Sequence, residues 1–252
     1  MPSNAHQRWK WRAVLRLFWC LLSSFVVESL VFGFSVLPAV LFWEWHLHWE
    51  MPGPFWFRLA LLSMAFIPAY LLFAFSLMVL SALSTKIFGW RPAPDLEMRI
   101  SDLEWSLLDW VRYTVSIHLV RIFAGLVFRA TPLWTLYMRL NGAKLGRHVF
   151  VNSLWVTDHN LLEFGDDVVI GSEVHLSGHT VERGLVKTAK VRLGDGVTVG
   201  VSSIVGIGLV AGAGCTIGAL SFVPKFSQLE AGQNYGGIPA RRLESHHSLE
   251  MP

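Results

Sequence analysis

Two patterns of apolar positions divide this chain. Up to about residue 140 the apolar residues come in long runs; from Leu145 onward they return at every sixth position. Between Arg16 and Glu44 the only charge is Glu28, and between Arg58 and Lys86 there is none. A helix crosses a bilayer core with roughly 20 consecutive apolar residues, so both stretches are long enough. They predict two transmembrane helices, near Leu15 to Trp43 and near Phe57 to Leu83. Each is too long for a cleaved signal peptide, and the second stands too far from the N-terminus. A third region, Trp105 to Met138, has another texture. Leu108, Val111, Val115, Leu119, Ile122 and Leu126 recur every three or four residues, beside a polar stripe of Ser106, Asp109, Arg112 and Ser116. That is an amphipathic helix. With Arg121 and Arg129 in it, it is expected to lie along a membrane surface or under a soluble domain. Pro132 after Thr131 marks a new helix start, and Arg91-Pro92-Ala93-Pro94 reads as a linker.

The flanking charges set an expected orientation. Arg8, Lys10, Arg12 and Arg16 precede the first span, and Lys86, Arg91 and Arg99 follow the second. The connection from Glu44 to Gly53 has no Lys or Arg. Positive charge stays on the cytoplasmic side, so both termini are expected there, with Trp43, Trp45, Trp49 and Trp56 at the outer interface. His46 and His48 in the connection are expected to be solvated. Glu28 has two readings: a functional carboxylate that meets a polar substrate head or a partner helix, or a polar residue of helix packing.

In the second half an aliphatic or aromatic residue followed by Gly repeats every six residues. Leu145-Gly146 and Val151 open the series. Phe164-Gly165, Ile170-Gly171 and Leu176 continue it, and Leu193-Gly194 through Val223 runs without a slip. Eight such pairs at one period predict a parallel β-helix, with three hexads of roughly 18 residues per triangular coil and about four coils in all. The aliphatic residue points inward. The Gly allows the corner, either because a side chain would clash or because φ is positive. Val197, Ser203, Cys215 and Ser221, four positions after the aliphatic residue, should also face inward, which makes Cys215 core and not a reactive thiol. Val151 to Phe164 is one residue longer than two hexads, and Leu176 to Leu193 is one shorter than three. The second slip holds Gly178-His179-Thr180. Interruptions of a regular stack are where sites tend to sit.

Composition sharpens the division. Apolar residues make up 53% of the 252, charged residues only 15%, and there are twelve Trp. That is too little charge for an ordinary soluble surface. The net charge of +3 is scattered, with no dense basic run, so no nucleic acid is expected as partner. Cys20 and Cys215 form no paired framework, consistent with a reducing compartment.

The residues of the second half resemble the hexapeptide-repeat acyltransferases of left-handed β-helix fold. Ser177-Gly178-His179-Thr180 is similar to that superfamily's His element, Val223-Pro224-Lys225 partly to its Lys element, and Gly237-Ile238-Pro239-Ala240-Arg241 to its closing motif. A wider likeness runs through Thr131 to Gly146, the Asp158 region and His179 to Lys187. It is to the membrane-bound terminal domains of ε-poly-lysine-synthetase-type peptide synthetases. No adenylation or carrier domain is expected within these 252 residues.

The resemblance implies a site. His179 would be the base that takes the acceptor's proton, a task for which an imidazole near neutral pKa is suited. Asn152 and Asp158 match acceptor-binding positions, or are corner residues. Lys225 and Arg241 would meet coenzyme A phosphates, or are simply solvated, and the pantetheine arm would follow backbone amides near Gly200, Gly206 and Gly218. His159 and His175 match no role. A zinc site of the γ-carbonic-anhydrase design is not expected, because His175 and His179 are four apart and Leu193 to Val223 has no His. The expected architecture is α plus all-β: residues 1–95 a transmembrane hairpin and linker, 96–140 amphipathic helices, 141–244 the left-handed β-helix, and 245–252 a disordered tail. The expected activity is acyl transfer, with acetyl the expected group, from acyl-CoA to a hydroxyl or amine of an envelope sugar, lipid-linked or amphiphilic acceptor. It would act at a bacterial inner membrane, in contact with membrane lipid, as a homotrimer without metal. Two alternatives stand: an aminoacyl transferase using a carrier-protein thioester, and a non-catalytic membrane scaffold.

Overall fold

The computed structural model describes residues 11–48 and 53–244. Arg8, Lys10, Trp49 and the tail from Ser245 lie outside them. Three helices are long and apolar enough to cross a membrane: Trp11–His48, Phe55–Ile87 and Trp105–Phe128. The first, α1, is one continuous helix, Trp11–His48. The second is divided into α2, Phe55–Met64, and α3, Phe66–Ile87. Pro68 accounts for the division: it lacks an N–H, and its ring crowds the carbonyl four residues back, at Met64. His46 is not solvated as expected. It is buried in the last turns of α1, stacked on Phe42 at 6.0 Å and edge-on to Trp43 at 6.3 Å.

The amphipathic region becomes α4, Trp105–Val120, a π-turn at Arg121–Gly125, a short α5, Leu126–Phe128, and α6, Pro132–Leu140. Pro132 opens α6 as expected. Half of the polar stripe of α4, Arg112 and Ser116, does not face water, which corrects the simple amphipathic reading. Arg112 and Ser116 are buried against α1, where Arg112 donates to Ser23 Oγ at 3.1 Å and Ser116 donates to Glu28. The outward residues are apolar instead: Val115, Ile122 and Leu126 are exposed. Polar groups removed from water must find partners, and here α1 and α4 supply them to each other.

From Lys144 the chain winds into three sheets of parallel strands. Partners such as Thr198 and Thr216, Ile204 and Phe222, and Val210 and Gln228 lie one coil and 18 residues apart, the length of an uninterrupted coil. The repeat thus builds a three-faced prism. Val151, Ile170, Val199, Ile217 and Tyr235 stack inside one face, and Leu176, Val205 and Val223 inside another. Each such aliphatic side chain contributes roughly 1.5–3 kcal/mol by leaving water. Val197, Ser203, Cys215 and Ser221 are buried as expected. Burial pushes the Cys215 thiol up, away from reactivity.

Of the two reasons offered for Gly at the corners, crowding is the operative one. A Cβ on Gly206 would sit 2.6 Å from the backbone nitrogen of Lys225 in the next coil. Helix α6 closes the first coil with Trp134, Tyr137 and Met138 beneath it, and Arg241–Arg242 doubles back antiparallel on Asn234–Gly236 to close the other end. Helices and prism share one continuous apolar core, from Val31 and Phe73 through Trp134 to Tyr235.

Candidate active site

Both slips in the period converge on one place. The first is absorbed by a 3-10 turn, His159–Leu161, preceded by Asp158 at φ 51°. Asp is among the few side chains that tolerate this left-handed geometry. The second slip is not a shortened triplet of hexads but one hexad plus an excursion. His175 pairs with Ile204, 29 residues on, where a plain coil would take 18. The surplus forms a hairpin, His179–Glu182 with Leu185–Thr188. It turns through Arg183 and Gly184 at φ 49° and 75°, the double positive φ of a type I′ hairpin turn. Glu97–Arg99 adds a third strand from the linker side.

His179 is the first residue of that hairpin, and Asp158 lies beneath it. Asp158 Oδ2 is 2.5 Å from His179 Nδ1 and accepts from the Gly178 amide at 3.1 Å, while Oδ1 accepts from the Trp110 indole N–H at 3.2 Å. The Asp158 side chain is 1% exposed, that of His179 24%. Burial alone would lower the His179 pKa, but the hydrogen bond and charge of Asp158 together hold it above the ordinary imidazole value. Nδ1 carries the proton toward the carboxylate, and Nε2 has no hydrogen-bond partner among the described residues. The Trp110 ring meets the imidazole edge-on at 4.9 Å.

Helix α4 supplies a wall that sequence reasoning missed. Tyr113, Thr114, Ile117 and His118 enclose, with Thr157, Asp158 and His179, a cavity of about 20 Å³, room for about one water molecule. These residues share the α4 face opposite Ser116. Nothing in their spacing marks them, because the contact joins residues 110–118 to residue 179 across the fold.

The other expected site residues sort onto separate parts of the prism. Gly206 and Lys225 continue the edge below Gly178, since Leu176, Val205 and Val223 are in register. Asn152 follows Val151 at another edge, where Gly200 and Gly218 follow Val199 and Ile217. Arg241 is exposed on the strand that closes the far end. Lys225 Nζ is paired with Glu182 of the hairpin. Two expectations meet a different geometry. Asp158 sits at a corner, buried, with both oxygens accepting from protein donors, which fits the corner reading of this residue. The amides of Gly200, Gly206 and Gly218 are not available to a pantetheine arm, since they donate to Ile217, Val223 and Tyr235 carbonyls at 2.7, 2.9 and 2.7 Å. His159, without an expected role, is buried between Trp134 and Tyr137, and burial lowers its pKa to about 4 despite a bond to the Val156 carbonyl.

Three faces of parallel strands, with 18 residues to an uninterrupted coil, give this chain a fold similar to that of hexapeptide-repeat acyltransferases. The solved structures it resembles include a hexapeptide-repeat acetyltransferase from Vibrio cholerae, at 22% identity and TM-score 0.38, over 43% of this chain and 65% of that one. A serine acetyltransferase in complex with CoA matches at 14% identity and TM-score 0.36, over 69% of this chain and 57% of that one. A maltose O-acetyltransferase from Clostridium difficile 630 matches at 16% identity and TM-score 0.35, over 46% of this chain and 76% of that one. By sequence, the chain is 25% identical over 139 residues to a delta-poly-L-ornithine synthetase of Acinetobacter baumannii (strain AB307-0294), which is 55% of this chain and 10% of the synthetase. The chain therefore spans about a tenth of that relative. No family model matches.

Proposed function

We propose that this chain is a membrane-anchored acyltransferase that moves an acyl group, acetyl in the simplest case, from acyl-CoA to a hydroxyl or amine of an amphiphilic or lipid-linked envelope acceptor. The observation that carries it is the 2.5 Å contact of His179 Nδ1 with buried Asp158. A carboxylate on Nδ1 fixes the tautomer, leaves the Nε2 lone pair for the acceptor, and stabilises the imidazolium that forms. In the proposed step the acceptor O–H or N–H gives its proton to Nε2 while its heteroatom attacks the thioester carbonyl. The tetrahedral intermediate then expels the CoA thiolate, which takes the proton back from the imidazolium. Lys225 and Arg241 would meet the coenzyme's phosphates, Lys225 after exchanging Glu182 for phosphate, and Asn152 the acceptor.

On this reading the prism is left-handed, α1 and the α2–α3 pair cross the inner membrane, and both termini face the cytoplasm. The copies would form a homotrimer. The test is turnover: free CoA released from acetyl-CoA, with an extract of polar lipids and envelope glycans as acceptor. His179→Ala should lower the rate by about 10²–10⁴, the usual worth of a general base. A loss below about tenfold rejects the base assignment.

The likeness to a poly-ornithine synthetase favours one second reading, an aminoacyl transferase drawing on a carrier-protein thioester. It predicts no turnover of acyl-CoA and His179-dependent turnover of an aminoacyl carrier.

A further inference from the structure

Helix α4 has a second working face. Opposite the His179 side, it forms with α1 an open groove of about 540 Å³, walled by Phe25, Phe32, Val115 and Leu119 and lined also by Glu28. That volume lies in the range of small-molecule sites. Glu28 is 8% exposed. Its Oε1 accepts from Ser116, while its Oε2 is buried without any hydrogen-bond partner. No basic residue lines the groove. The nearest cation along the seam, Arg112, is already engaged, with Asp109 at 2.6 Å and Ser23 at 3.1 Å, between the Trp90 and Trp105 rings. A buried polar oxygen without a donor is costly, and in native structures it marks a missing partner. Ser24 and Ser29 also line the groove, and their hydroxyls can accept as well as donate. At Gly33 a Cβ would meet nothing within 4 Å, so the lining stays clear there.

We propose that this groove binds an amphiphile bearing a primary ammonium group. The ammonium donates to Glu28 Oε2 and to the two serine hydroxyls, and the apolar chain lies along Phe25, Phe32, Val115 and Leu119. A carboxyl group in apolar surroundings is best matched by a partner that brings both positive charge and hydrogens. A quaternary ammonium brings only the charge and a hydroxyl only the hydrogen. The site stands on the far side of α4 from His179, so it does not depend on the acyl-transfer reading, and its test uses no turnover.

The full chain in a non-ionic detergent is unfolded by heat, followed by tryptophan fluorescence, while dodecylamine, dodecyltrimethylammonium or 1-dodecanol is titrated in. Dodecylamine should raise the Tm saturably, and dodecyltrimethylammonium should not. Glu28→Gln keeps an oxygen for Ser116 and should weaken the dodecylamine effect about tenfold or more, as expected for loss of a charge-assisted bond. Val115→Trp, which fills the groove and leaves Glu28 untouched, should abolish it, and this variant stands as the test should Glu28→Gln fail to fold. An equal shift from dodecyltrimethylammonium or dodecanol overturns the ammonium assignment. An unchanged dodecylamine effect in Val115→Trp overturns the site.

Discussion

The pair His179 and Asp158 is a balance between two opposing effects on one imidazole. Burial favours the neutral ring, and the carboxylate at 2.5 Å favours the charged one and prevails. The sign of the consequence is fixed. A histidine whose folded pKa is raised contributes stability that is complete below its unfolded value, near 6.5, and is lost as pH rises through the folded value. The proposed base role needs the opposite form, so on that reading the rate should climb through a midpoint above 6.5. Asp158→Asn removes the charge and leaves the burial. The midpoint should then fall below 6.5 even as the maximal rate drops, by roughly 10²-fold or more because the tautomer is no longer enforced. A pH profile of turnover for the two proteins checks this. A midpoint that stays put in Asp158→Asn would mean that the carboxylate does not control the imidazole. His159 shows the other limit. It lies one residue from Asp158 in sequence, but without a carboxylate on its ring, burial wins and its pKa falls to about 4.

At the scale of elements, α4 joins the apolar helices to the site. Its Trp110 holds Asp158 Oδ1 and edges the imidazole, while Arg112 and Ser116 on the other side hold α1. Trp110→Phe keeps an aromatic ring, though a smaller one, and deletes the one N–H. If α4 positions the dyad, kcat should fall about tenfold, the worth of one hydrogen bond to a charged group, with little change in acyl-CoA KM. A mere packing role predicts lower thermal stability and an unchanged kcat. The prism was legible in the sequence because its period is strict: one aliphatic residue in six must face inward, and Gly must follow where coils crowd, as Gly206 does under Lys225. His179 was legible for the same reason, as an interruption of that period. Asp158 was read as an acceptor contact or a corner residue; its left-handed backbone fits the corner, but the contact with residue 179 leaves no periodic trace. The α4 wall was invisible. A helix that has polar residues on one face reads as half-solvated, and only the fold reveals that Ser116 and Arg112 meet partners on another helix.

At the scale of the molecule, the expected site residues other than Asp158 and Arg241 occupy two edges of the prism. His179, Gly206 and Lys225 share one, and Asn152, Gly200 and Gly218 share the next. A sheet face separates them, and no bending of a stack whose amides are spent coil to coil can bring them together. If both edges serve one reaction, the second must come from another copy, which is what a cyclic assembly provides, each contact joining one copy's first edge to its neighbour's second. The outer surfaces agree with this. One face carries a charged ladder of Lys144, Glu163 and Arg192, while the face between the two edges presents Ile204 and Phe222 to the outside, apolar surface of the kind that marks an interaction site. Complementation between inactive variants separates the possibilities. His179→Ala and Asn152→Ala should each be nearly inactive. Mixed during assembly in equal amounts, they should regain roughly a quarter of wild-type activity, because about one contact in four then joins an intact His179 edge to an intact Asn152 edge. The doubly substituted chain mixed with wild type should show no such gain over the wild-type share. Activity in the mixture no greater than the sum of its parts would confine the site to a single chain, and Asn152 would then have no part in it.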